Sequence, residues 1–176
     1  TNQGTATVQN GSQFIGNEVG WIGGGISNVA GGTLWLEGAS AISSNSSNGF
    51  AGGLYNDSAS TLTVINSTIA GNNSIYGGGG VLNDGMLTIE NSILSANSSG
   101  QGGALYNSGT ANITDGTVVG GTVAEAANVA DGGGGLFNLG VLTVIDSIVT
   151  GNQSVSFGGG LFNWTGGVLT IDNTIV

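Results

Sequence analysis

The chain has 176 residues, with 37 Gly and no Pro or Cys, and sets ten Asp or Glu against no Lys, Arg or His, a formal charge of −10. That length suits one domain over residues 1–176 with a continuous core, and without Cys there is neither a disulfide nor thiol chemistry. The lack of any basic patch excludes phosphate-backbone recognition, so no nucleic-acid partner is expected, and no apolar run is long enough for membrane insertion.

The glycines cluster and do not recur every third residue, which excludes collagen. Hydrophobic residues make up 39% of the chain and alternate in short runs, as strands do and disordered chains do not. In chain order, the first alternating stretch is ATVQN from Ala6, followed by FIGN (Phe14 to Asn17) and GGGISN (Gly23 to Asn28). The second cycle runs LWLEG from Leu34, ISSN from Ile42 and GGLYN from Gly52; the third runs LTVIN from Leu62, IAGN from Ile69 and GGGVLN from Gly78. LTIEN from Leu87, LSAN from Leu94 and GGALYN from Gly102 make the fourth. ANITD from Ala111 opens the fifth, which carries an insertion between Gly120 and Ala130 before GGGLFN from Gly133. LTVID from Leu142, VTGN from Val149 and GGGLFN from Gly158 follow, and LTIDN from Leu169 begins a last coil.

The asparagines that close the Gly-rich segments are spaced 28, 27, 24, 31 and 25 residues apart. Strands of three to five residues are too short to be stable alone, but a period of roughly 25 residues lets each stack on its counterpart about 4.8 Å away. The expected fold is all-β: a right-handed parallel β-helix (β-solenoid) of about seven coils with three short strands per coil around one apolar core. A β-sandwich also has short strands and Gly-rich turns, but nothing in it demands side chains in register at this period.

Stacking converts the repeats into columns. Ala6, Leu34, Leu62, Leu87, Ala111, Leu142 and Leu169 should face inward, as should Val8, Leu36, Val64, Ile89, Ile113, Val144 and Ile171 two residues on, with a Thr-rich column between them facing water. Asn28, Asn56, Asn83, Asn107, Asn138 and Asn163 form one amide column, and Asn17, Asn45, Asn72, Asn97 and Asn152 another, each able to donate to one neighbour and accept from the other. Before the closing Asn lie two residues, mostly apolar. If the first is in the core, Tyr55, Leu82, Tyr106, Phe137 and Phe162 form an outward contact ladder for a glycan or a protein; a kink at the glycines tucks both inside instead.

Asp115 and Asp146 fall in one column on adjacent coils, a spacing compatible with a glycosidase carboxylate pair or with weak Ca²⁺ binding. No basic side chain stands beside them and no nucleophile has a His base, so no catalytic set and no cofactor are expected, with Ca²⁺ at Asp115 and Asp146 as the alternative. Nine Asn-x-Ser/Thr sequons occur, of which Asn10 and Asn112 look most open to glycosylation.

The GG[GA]-apolar-x-N, [FILV]-x-x-N and LT[VI]-x-[ND]-[ST] segments, over Thr5 to Val176, resemble those of bacterial β-helix surface proteins such as the chlamydial polymorphic outer-membrane proteins. The resemblance implies secretion, surface display and adhesion; the chain departs from those families in having no Cys, Lys or Arg. Both ends look uncapped and the chain reads as a processed form or part of something longer. Thr5, Ala6, Thr7 and Val8 at one end, and Leu169, Ile171, Thr174, Ile175 and Val176 at the other, are then self-assembly surfaces for a head-to-tail homopolymer. The expected function is an extracellular or surface-displayed structural module. An adhesin using the aromatic or Thr face is the alternative, and a polysaccharide-active enzyme the remote one.

Overall fold

The computed structural model describes all residues, 1–176, and is a parallel β-solenoid of about six turns. Four parallel sheets run along it. Sheet 1 has seven strands, from Thr5–Val8 to Val168–Asp172; sheet 2 has six, from Gln13–Ile15 to Ile148–Thr150. Sheet 3 runs from Glu18–Val19 to Gln153–Phe157 and sheet 4 from Ile26–Asn28 to Leu161–Asn163, with six strands each. Every strand pairs with its counterpart one coil away, in the register the repeats imply: Leu62 opposes Leu34 and Leu87, and Asn83 opposes Asn56 and Asn107.

Each coil sends two sheet 1 side chains inward, such as Leu62 and Val64, one from sheet 2, such as Ile69, and one from sheet 4, such as Leu54. They join a core cluster of 21 buried residues, almost all Leu, Ile or Val. Each such Leu or Ile is worth roughly 1.5–3 kcal/mol against the ordering of its coil. Stacking of like on like is what makes the short strands persist.

The expected solenoid is present with about the expected number of coils, and with one sheet more than expected. There are four sheets and not three: sheet 3 includes strands of two residues, Ser46–Ser47 and Asn73–Ser74, that carry no apolar alternation. Their buried hydroxyls close on nearby backbone, with Ser47 Oγ donating to the Trp21 carbonyl at 2.8 Å and Ser74 Oγ to that of Gly77 at 3.0 Å. The seventh coil is represented by the last strand of sheet 1 and a single bridge from Ile175 to Ile148. The insertion after Gly120 is absorbed as a surface bulge with a 3₁₀ turn at Ala124–Ala126.

The corners are polar, and their polarity is satisfied. Along the corner after sheet 4, Asn2, Asn28, Asn56, Asn83, Asn107, Asn138 and Asn163 form one chain in which each Nδ2 donates to the next Oδ1 at 2.7–2.8 Å. Between sheets 2 and 3, Asn17, Asn45, Asn72, Asn97, Asn128 and Asn152 do the same at 2.8–3.0 Å. In this second ladder each Oδ1 from Asn45 onward also accepts the backbone N–H of the preceding Asn. No buried side-chain nitrogen or oxygen lacks a partner, which an uncharged interior crossed by turns requires. Asn2 and Asn128 are ladder members that the repeat pattern does not single out, the first because it precedes the first full segment, the second because the insertion displaces it.

Between sheets 3 and 4 the chain turns through a left-handed residue, Gly78 (φ +68) in the third coil, followed by Gly79. A Cβ on Gly79 would stand 2.5 Å from the carbonyl oxygens of Gly103 and Ser98, so the backbones of adjacent coils exclude any side chain there. The corner is re-entrant, and it folds the end of sheet 3 toward the outer face of sheet 4.

Candidate functional site

In sheet 4 the first residue of each apolar pair is buried: Leu54, Val81, Leu105 and Leu136 belong to the core. Alternation therefore turns Tyr55, Leu82, Tyr106, Phe137 and Phe162 to the opposite face, in register from coil to coil. They form the outward ladder, yet not a bare stripe. Leu82 is 5% and Phe137 3% exposed, because other side chains crowd beside them.

Those side chains are aromatic. Tyr106 and Phe137 stack at 5.3 Å with their planes 4° apart, and Phe137 meets Phe162 at 5.5 Å and Trp164 at 6.0 Å. Phe157 stacks on Phe162 at 5.2 Å. Toward the other end, Trp21 meets Phe50 edge-on at 5.9 Å, and Phe50 meets Tyr76 at 5.2 Å. Of the three Trp, three Tyr and five Phe in the chain, only Phe14, Trp35 and Tyr55 make no ring contact of this kind. The result is a groove parallel to the solenoid axis. Its main cavity, about 640 Å³, runs from Phe50 and Tyr76 past Tyr106 and Phe137 to Phe157 and Trp164. A second, about 360 Å³, continues it past Leu82 to Trp21.

The groove is acidic. Asp84 lies on one side, where its carboxylate accepts hydrogen bonds from the Tyr55 hydroxyl at 3.1 Å and from Ser108 Oγ at 2.5 Å. Burial, and then the Asp84 charge, push the Tyr55 phenol up to about 12; the same two causes raise Tyr106. Asp131, on the sheet 3 strand Val129–Gly132, lines the main cavity and is exposed, with no hydrogen bond to its carboxylate. Asp57 stands apart, capping the corner after sheet 4. Burial acts to raise its carboxyl, but hydrogen bonds from Ser60 Oγ at 2.7 Å and from the N–H groups of Ala30 and Ala59 at 2.7 and 3.1 Å outweigh it and hold the carboxyl below the ordinary value.

The remaining sequence candidates lie elsewhere. Asp115 (φ +56) and Asp146 (φ +49) occupy left-handed corner positions between sheets 1 and 2, both exposed. Asp115 accepts from Thr114 Oγ1 at 3.0 Å, and Asp146 accepts from the Asn173 amide. No three acidic, His or Cys side chains gather anywhere. Asn10 and Asn112 are exposed, as is the Asn66 sequon, whereas Asn45, Asn56, Asn72 and Asn97 are sealed in ladders.

At the ends, Ala6, Val8, Leu161 and Leu169 are partly buried against the core, while Ile171, Ile175 and Val176 are 42%, 67% and 64% exposed. Thr5 and Thr7 are exposed on the first strand, and Thr174 is half-buried with its hydroxyl donating to the Asp172 carbonyl at 2.8 Å. Sequence reasoning missed Trp21, Phe50, Tyr76, Phe157 and Trp164. A signal existed, since four of the five lie within two residues of the glycine-containing corner and the fifth directly follows a ladder Asn.

Comparison with protein-family models, curated proteins and solved structures finds no match to this chain. The class is set by architecture: a parallel β-solenoid with stacked amide corners and one aromatic groove.

Proposed function

We propose that the protein is an extracellular or surface-displayed structural module, a stiff solenoid whose end coils stack head-to-tail on further coils and so build a filament from copies of itself. The carrying observation is the direction of the amide ladders. At one end Asn163 Nδ2 donates only to the Gly167 carbonyl, at 2.9 Å, leaving a hydrogen free along the axis. At the other end Asn2 Oδ1 accepts only from the Gly4 N–H, at 3.2 Å. The two open ends are complementary, and the strand edges beside them carry unpaired N–H and C=O groups that fit another coil. A composition without Cys, Lys or Arg accords with life outside the cell, as does the resemblance to bacterial β-helix surface proteins. The reading assigns no catalytic residue and no cofactor.

Sedimentation velocity across a concentration series tests it. The chain should grow into longer species, and Ile171→Asp, which puts a carboxylate on the open end of the core, should stay monomeric while keeping its β circular dichroism. A chain that remains monomeric at every concentration overturns the reading. A second reading, adhesion, is favoured by one observation, the concentration of aromatic rings in a single groove.

A further inference from the structure

The groove has a chemistry narrow enough to name its occupant, once the adhesive reading is taken as the starting point. We propose that the groove between sheets 3 and 4 binds an extended segment of another protein that carries Lys or Arg side chains. Three features converge on that choice.

The first is charge. The chain has ten carboxylates and no cationic side chain, and each of the two cavities along the groove presents one, Asp84 in the second and Asp131 in the main one. A second copy of the chain, an acidic peptide or an anionic glycan would set like charges opposite these, which costs affinity and slows encounter. A cationic segment lying along the groove meets complementary charge in both cavities and is steered in by the −10 field.

The second is the disposition of the rings. Tyr106 and Phe137 lie nearly parallel and Phe157 stacks on Phe162 at 22°, so these rings spend faces on one another. A sugar chain stacking residue by residue needs free ring faces at successive coils, and those are scarce here. The aliphatic stems of Lys and Arg pack against apolar rims while their charged heads reach carboxylates. The exposed rings of the groove, Trp21 (62% exposed), Phe157 (57%), Tyr76 (52%) and Trp164 (46%), offer cation–π contacts.

The third is length. From the coil of Trp21 to that of Trp164 there are five coil steps, about 24 Å, which an extended peptide spans with about seven residues. Asp84 and Asp131 are two coils apart, about 10 Å along the axis, or about three residues of extended chain. A segment with basic residues three or four apart therefore places one at each carboxylate.

The test titrates the full chain with three probes: a nonapeptide with two Lys spaced three residues apart in an otherwise Ser/Leu background, the same peptide with Glu for Lys, and a neutral gluco-oligosaccharide. Calorimetry and tryptophan fluorescence, to which Trp21 and Trp164 in the groove contribute, report binding. The Lys peptide alone should bind. Asp84→Asn with Asp131→Asn, both isosteric and at solvent-reached positions, should weaken it about tenfold or more. Asp115→Asn with Asp146→Asn removes the same net charge from another face and should change affinity less than about twofold. Equal loss in both double variants would mean unspecific attraction and overturns the site. Binding of the oligosaccharide in place of the peptide refutes the cationic occupant while leaving adhesion standing. Binding of none of the three removes the adhesive reading as well.

Discussion

Replacing Asn97 by Ala isolates what a ladder rung contributes. Asn97 is fully buried in the fourth coil. Its Oδ1 accepts from the Asn72 backbone N–H and from Asn72 Nδ2, both at 3.0 Å, and its Nδ2 donates to the Ile69 carbonyl and to Asn128 Oδ1, also at 3.0 Å. Truncation deletes these four hydrogen bonds. At a net value of about 1 kcal/mol each the loss is about 4 kcal/mol, and the Asn72 N–H, left buried without its acceptor, keeps the figure from falling much below that. Asn97→Asp tests direction separately from shape. The isosteric carboxylate cannot donate to Ile69 or Asn128 and sits unpaired inside, so it should be at least as damaging as Ala. Asn112→Ala, on the water-facing side of sheet 1 and free of side-chain hydrogen bonds, should stay within about 0.5 kcal/mol of the parent. Urea unfolding measures all three, with amide exchange at the neighbouring coils showing whether damage is local, since stacked repeats need not unfold as one unit. A cost below about 1 kcal/mol for Asn97→Ala, or tolerance of Asp, would refute the claim that the ladder is a directional structural element.

Other consequences can be measured on the same material. In a spectrophotometric titration of tyrosinate, Tyr55 should ionise near 12; Asp84→Asn should lower that value only in part, because burial is the larger cause, and an unshifted titration would mean Asp84 is not beside the phenol. Since the folded state holds that proton more tightly than the unfolded chain, stability should be intact below about pH 10 and fall as pH rises toward 12. Asp57 works in the opposite sense: its carboxyl is held low in the fold, so its contribution is present above the ordinary carboxylate range and is lost as pH falls through the folded value. Asp57→Asn should accordingly flatten the acid limb of a thermal melt series. Gly79→Ala meets carbonyl oxygens at 2.5 Å and should lower the urea midpoint far more than Gly4→Ala, where nothing stands within 4 Å; equal effects would contradict the close stacking at that corner.

The parts of this architecture that repeat apolar residues were legible in the sequence. Leu62, Val64 and Ile69 alternate with polar neighbours in every coil, so the inward columns and the coil period follow from spacing alone. The amide ladders were legible for the same reason, since Asn83 and its counterparts recur at one motif position. Sheet 3 was hidden because Ser46–Ser47 and Asn73–Ser74 are strands made by their neighbours' ladders and not by their own side chains. The groove was half visible. Tyr106, Phe137 and Phe162 stand in the repeat, but the cover of Phe137 also needs Trp164, a ring that follows the ladder Asn in that coil alone and that no column announces. Asp115 and Asp146 stand in equivalent corners as the columns suggest, yet each carboxylate accepts from a side chain in its own surroundings.

Coils that stack within and between molecules are the central claim, and electron microscopy of the purified chain over a range of concentrations tests it most directly. Six coils at about 4.8 Å make a body about 29 Å long. The expected result is thin rods many times that length, with a layer line near 4.8 Å along their axis. Isolated particles of single-molecule length at every concentration would contradict end-to-end assembly, and a rod whose repeat of about 4.8 Å runs across its axis would contradict the stacking of the coils themselves.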